Sequence, residues 1–239
     1  MVGLGGGFIA VPILLLFFGL PPAQASGTSL ALVVANSAAG AFTYALQRRV
    51  NVRIGLLIAA GGLPGSIGGA IAATRISAAL FDWILAALLI IVSFDMVVNR
   101  QKRLAARGGD EAAHGFSMPW YRCVLLGLFV GCVSSLFGIG GGVIVVPSLL
   151  YFSSLPAHMI SATSHFAIFL TSPVGLATHW WQNDIRWTYV IPLALGGIIG
   201  GPIGARLSLR MGQTRLIVFV AAALTIAALA LVLRHFTSA

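Results

Sequence analysis

The 239-residue chain is 59% hydrophobic and only 8% charged, where an ordinary soluble domain is about 45–50% apolar and about 25% charged. Apolar runs long enough to cross a bilayer recur from end to end between short polar stretches, so the chain reads as a polytopic helical membrane protein. Continuous runs exclude the period-two alternation of a membrane β-barrel. The formal charge of +9 does not indicate nucleic-acid binding, because the cations sit in loops between apolar segments, where they orient a chain in the membrane.

Taken in order, the first segment, 3–19, is too short to cross and carries Pro12, so it is expected to dip into the membrane. The second, 25–46, is rich in Ala, Ser, Asn and Thr, as suits a helix inside a bundle. A basic turn with Arg48, Arg49 and Arg53 leads into the third, 54–74, where Gly61, Gly62, Gly65, Gly68 and Gly69 permit close helix approach and Pro64 predicts a kink. The fourth, 80–98, is greasier and is expected to face lipid. Arg100, Lys102, Arg103, Arg107 and Arg122 outweigh Asp110 and Glu111 between 99 and 122, which marks a cytoplasmic linker. The second half then offers segments at 123–152, 158–181, 187–207 and 216–233. Cys123 and Cys132 lie in one apolar segment and read as small packing residues.

The halves are copies. Gly138-Ile139-Gly140-Gly141-Gly142, followed by Val146-Pro147, repeats Gly3-Leu4-Gly5-Gly6-Gly7, followed by Val11-Pro12, so position 138 answers position 3 at an offset of 135. Leu20-Pro21 answers Leu155-Pro156, Ser26 answers Ser161, Thr28-Ser29 answers Thr163-Ser164, and Gly61, Gly62, Gly65 and Gly69 answer Gly196, Gly197, Gly200 and Gly204. The predicted fold is therefore an all-α integral membrane protein of two repeats, 1–98 and 123–239, joined by the linker 99–122, each of about four hydrophobic segments with the first broken by glycine. The first copy lacks the leading helix that 121–137 gives the second, and is expected to be truncated or misassigned there.

Equivalent loops differ in charge. The loop 47–53 carries three arginines against one arginine and one aspartate at 182–186, whereas the loop at Arg75 is weaker than its partner with Arg206, Arg210 and Arg215. The positive-inside rule then favours copies of opposite orientation, which needs an odd number of crossings per copy. That condition holds if the broken segment enters and returns on one side; four full crossings per copy in parallel orientation is the alternative. As a straight helix 123–152 would span about 45 Å, against a hydrocarbon core of about 30 Å.

The glycines cannot be present for helix propensity, since each costs up to about 1 kcal/mol relative to Ala. A broken helix at membrane depth exposes backbone N–H groups, and the helix restarting at Val143 aims its positive end at the break, which suits a small anion. Hydroxyls at the same offset in both copies suggest further donors. The candidate substrate-binding set is Gly3, Gly5, Gly6, Gly7, Ser26, Thr28, Ser29 and Asn36 in one half, with Gly138, Gly140, Gly141, Gly142, Ser161, Thr163, Ser164, His165 and Thr171 in the other. His165 is the expected proton-coupling group. His179, beside Trp180 and Trp181, reads as interfacial. No His, Cys or carboxylate cluster at metal spacing and no Walker motif is visible, so no metal, cofactor or catalytic residue is expected.

The glycine motifs GLGGGFIAVPIL and GIGGGVIVVPSL, each followed by Ser-x-Thr-Ser and a glycine-rich helix, resemble those of the TauE/SafE family of sulfite and organosulfonate exporters. The resemblance implies a multi-pass transporter of a bacterial inner membrane that moves a small sulfur-containing anion outward without ATP hydrolysis; from the two repeats, alternating access is expected to come from one repeat rocking against the other. An anion channel of the same fold and a non-transporting membrane scaffold are the alternatives. The expected partners are the solute and the lipid bilayer, with self-association left open.

Overall fold

The computed structural model describes residues 6–98, 119–153, 155, 157–196 and 213–237. Gly3, Gly5, nearly all of the linker and positions 197–212 lie outside these. The described residues form helices α1 Gly7–Leu16, α2 Pro22–Leu46, α3 Val52–Arg75, α4 Ala78–Val98, α5 Trp120–Phe137, α6 Gly142–Phe152, α7 Ala157–Trp181, α8 Trp187–Gly196 and α9 Gln213–Thr237, and no strand. Helices α2, α3, α4, α5 and α7 are long and apolar enough to cross a bilayer. At 10 and 11 residues α1 and α6 reach about half-way, since each residue adds about 1.5 Å.

Local chemistry sets several boundaries. Pro22, at the first helical position of α2, has its φ fixed for the helix and no N–H to leave unpaired. The side chain of Asn51 accepts from Ile54 N at 3.1 Å, so α3 starts two residues before the hydrophobic run does. The predicted single segment 123–152 is two helices, α5 and α6, separated at 138–141. α3 runs through Pro64 as one continuous helix.

The tightest packing is between α3 and α5. A Cβ at Gly61 would overlap the Val124 carbonyl, one at Gly65 the Leu128 carbonyl and one at Gly69 the Cys132 carbonyl. From the other side, Gly127 faces the Ile58 carbonyl and Gly131 the Gly62 carbonyl. The helices meet backbone to backbone, which is what small residues four apart allow in a membrane. Contact numbers rise together on both, so α3 and α5 run parallel. Both cysteines are free, Cys123 buried and Cys132 half-buried at this seam.

The helices that answer each other at the 135-residue offset run antiparallel. Thr28, near the start of α2, accepts from Arg186 N just past the end of α7 at 3.1 Å, and Thr163, near the start of α7, accepts from Asn51 N just past the end of α2 at 3.0 Å. Likewise Ser93, late in α4, donates to the Ala221 carbonyl early in α9 at 2.9 Å, while Asp82 and Trp83, early in α4, lie beside Leu231 and Val232 late in α9.

Helix α6 folds back along α5. Gly141 touches the Val130 side chain, and Leu149, late in α6, shares an apolar cluster with Cys123, Ile54 and Ile160, which open α5, α3 and α7. This end of the bundle carries Arg48, Arg49, Arg53 and Arg122. The opposite end holds Arg75, Asp184 and Arg186, over a second cluster in which Phe8, Leu14, Phe81, Leu85, Phe137 and Leu224 join α1, α4, α5 and α9. Phe42, Ile91, Phe94 and Phe129 face outward, where apolar side chains meet lipid.

Candidate functional site

The glycines that open α1 meet the break between α5 and α6 inside the bundle. Gly138 and Gly140 stand at φ 64 and 73, and Gly6 at φ 77, the left-handed region that glycine adopts without strain. Gly7 lies directly against the Gly138 carbonyl, with 2.9 Å from its Cβ position to the Ile139 backbone, so one break closes on the other. A Cβ on Gly138 would stand 2.5 Å from the Ser26 carbonyl, and one on Gly140 3.0 Å from Val33.

A helix end leaves its last carbonyls without partners, and here three of them receive side chains. Ser26 Oγ donates to the Leu136 carbonyl at 2.8 Å, Ser29 Oγ to the Gly138 carbonyl at 2.8 Å, and His179 Nε2 to the Ser135 carbonyl at 2.9 Å. Ser29 Oγ also reaches the Gly7 carbonyl at a long 3.5 Å, so one hydroxyl spans both breaks. On the far side of the gap, Ile144 N and Val145 N both donate to the Gly141 carbonyl, at 3.1 and 2.8 Å, and α6 therefore presents its N-terminus to the break.

The sequence-predicted residues divide into groups. Gly6, Gly7, Ser26, Ser29, Gly138, Gly140, Gly141 and Gly142 gather at the crossing, and Asn36 borders it, its Nδ2 3.8 Å from the Cβ position of Gly6. Thr28 and Thr163 instead accept the loop amides already described, at opposite ends of the α2 and α7 pair. Ser164, the counterpart of Ser29, is fully buried without a hydrogen-bond partner among the described residues. The position answering Gly138 is Gly3, which lies outside them with Gly5. His165 Nδ1 bonds the Ser161 carbonyl of its own helix at 3.0 Å, and its ring lies on Gly40 and edge-on to Tyr44. Thr171 bonds back to Ala167 at 3.1 Å and sets its methyl against Gly62.

Sequence reasoning missed His179. It is fully buried rather than interfacial, and it caps α5 immediately before the break. Nothing in the pattern around position 179 links it to Ser135, 44 residues away.

A multi-pass helical bundle in which two half-length apolar helices start from glycine motifs inside the bundle is the architecture of a membrane transporter. The sequence model "Sulfite exporter TauE/SafE" matches residues 1–231, and the chain belongs to that family. Among curated relatives, the probable membrane transporter protein YunE of Bacillus subtilis is 30% identical over 237 residues, covering 92% of this chain and 86% of the relative. A probable membrane transporter protein of Methanocaldococcus jannaschii is 29% identical, covering 89% of this chain and 80% of its own length. One from Xylella fastidiosa is 25% identical over 90% of this chain and 81% of its own. No solved structure matches.

Proposed function

We propose that the chain is a secondary transporter for a small anion, a sulfur oxyanion such as sulfite or an organosulfonate, which binds where the two glycine breaks meet. The observation that carries this reading is the closure of Gly7 on Gly138 and Ile139 beneath the N-terminus of α6. Irregular backbone at membrane depth is tolerated where it is buried in protein or lines a cavity, and a helix N-terminus attracts an anion. Ser26 and Ser29 hold the carbonyls of the break, leaving the amides from Gly140 to Gly142, with Asn36, to face the solute. The breaks are in contact, so the solute enters when they part.

The two copies take opposite orientations in this reading. Its support is the antiparallel course of α2 against α7 and α4 against α9, together with the collection of arginines at one end. That basic end is the cytoplasmic one, in a bacterial inner membrane.

Uptake into proteoliposomes of sulfite, sulfoacetate, sulfate and acetate tests the function. Saturable uptake with counterflow, abolished by Gly140→Leu in a folded protein, is the expected result. Flux that neither saturates nor supports counterflow would make the protein a channel, and absence of flux for every anion would leave the scaffold reading. Single cysteines replacing Arg49 and Asn183 should label from opposite sides of the membrane. Labelling from one side would reject the opposed orientations.

A further inference from the structure

His179 and Asp184 lie at the end of the break farthest from the arginine-rich surface. His179 is fully buried, and Asp184 is largely buried at 13% side-chain exposure. A carbonyl can only accept, so the 2.9 Å contact with Ser135 requires Nε2 to carry a hydrogen. In the neutral imidazole this leaves a lone pair on Nδ1. That lone pair faces Asp184 Oδ2 at 3.7 Å, and neither atom has a hydrogen-bond partner among the described residues. Two buried acceptors confronting one another are unfavourable, and a single added proton removes the conflict.

The neighbouring elements are specific. α5 contributes Ser135, whose carbonyl takes the Nε2 hydrogen. α2 contributes Gly27, whose Cβ position is 2.7 Å from the Asp184 carbonyl and 3.0 Å from His179 Cβ, and Gln24, which accepts from Arg186 Nε at 2.8 Å. The loop contributes Gln182, with its own buried unpaired Oε1, and Asp184. His179, Asp184 and Arg186 are therefore the titratable and charged groups in these contacts, and the guanidinium of Arg186 is engaged by α2.

We propose that His179 and Asp184 form a one-proton site through which a pH gradient drives the opening and closing of the break. Loading takes one proton from the aqueous side onto Nδ1, giving an Nδ1–H that donates to Oδ2, and unloading returns it to water with no other bond made or broken. The empty pair repels itself, which loosens the loop 182–186 from α7. Because the same imidazole holds the last turn of α5 and the same loop is tied to α2 through Thr28, that loosening reaches both helices that grip Gly138. Burial lifts the Asp184 carboxyl above the usual carboxylate range, with His179 opposing. The site's purpose rests on the transport reading, but its existence does not.

Two measurements on the full chain separate those claims. In infrared pH-difference spectra of the detergent-solubilised protein, the wild type should show an imidazole ring signal coupled to a shift of a carboxylate stretch, and both His179→Gln and Asp184→Asn should remove that coupled signal. Spectra of His179→Gln indistinguishable from wild type would overturn the proton site. In proteoliposomes with the membrane potential clamped, radiolabelled sulfoacetate stays fully ionised on both sides, and one proton per solute at a gradient of one pH unit sustains about tenfold accumulation. In Asp184→Asn the amide donates permanently to Nδ1, so counterflow should persist while accumulation falls to unity. Wild-type accumulation in that variant would overturn the coupling proposal. If sulfoacetate and the other anions show neither counterflow nor accumulation in the wild type, the transport reading falls, and with it the coupling claim, while the infrared signal still decides whether the proton site exists.

Discussion

At one end of the α2 and α7 pair, the loop 47–51 holds Arg48 at φ 53 and delivers the Asn51 amide to Thr163; at the other, the loop 182–186 holds Asn183 at φ 59 and delivers the Arg186 amide to Thr28. Each left-handed residue, each donor and each acceptor answers its opposite number at an offset of 135. The side chains that add chemistry do not. Tyr44 occupies the place of His179, Arg49 that of Asp184, and Leu30 that of His165. A shared backbone frame with unlike fittings means that the ends can close in the same manner while responding to different signals.

The comparison can be broken most severely at the break itself. Gly138→Ala would place a methyl 2.5 Å from the Ser26 carbonyl and force an L side chain to φ 64. Left-handed strain of about 1–2 kcal/mol adds to overpacking of about 1–3 kcal/mol. Thermal unfolding in detergent should show a large drop. Gly19→Ala, at φ 61 with nothing within 4 Å of its Cβ position, should show the strain alone.

The matched hydrogen bonds come next. Thr28→Val and Thr163→Val each leave one loop amide without its acceptor, which is expected to cost about 1–3 kcal/mol apiece. Equal shifts in unfolding temperature are expected, and a strong inequality would mean that the two frames do not share their load. A smaller effect should separate the next pair. Asn51→Ala removes the cap on Ile54 N and should cost about 1 kcal/mol. Arg186→Ala removes only an exposed contact with Gln24 and should cost less, by the same unfolding measurement.

The gentlest test relieves the two left-handed residues. Arg48→Gly should stabilise by up to about 1–2 kcal/mol, and Asn183→Gly by less, because Asn tolerates this conformation better than Arg. The order of the two gains, read from unfolding midpoints, is the prediction.

The all-helical membrane class, the break after Phe137 and the glycine-rich faces were legible because each depends on local signals: long apolar runs, consecutive glycines and small residues four apart. The resemblance to the TauE/SafE family was legible for the same reason, since its motifs are short and contiguous. What a given hydroxyl touches was not. Ser26 and Thr28 look alike in sequence, yet one caps a carbonyl of α5 and the other receives an amide from the loop after α7. Those partners are 110 and 158 residues away, and only the packed bundle brings them together. The role of His179 was hidden for that reason, its neighbours Trp180 and Trp181 suggesting the membrane surface while its ring turns inward.

The glycine seam between α3 and α5 has a mechanical consequence. α3 belongs to the first half of the chain and α5 to the second, yet at Gly61, Gly65, Gly69, Gly127 and Gly131 they touch through backbone alone, with no side chain between them at those points. Such a joint resists shear, so these helices travel as a single plank. Rocking of one half against the other would have to carry this joint with it or open it. A hinge placed elsewhere would divide the bundle along a line that cuts across the order of the chain.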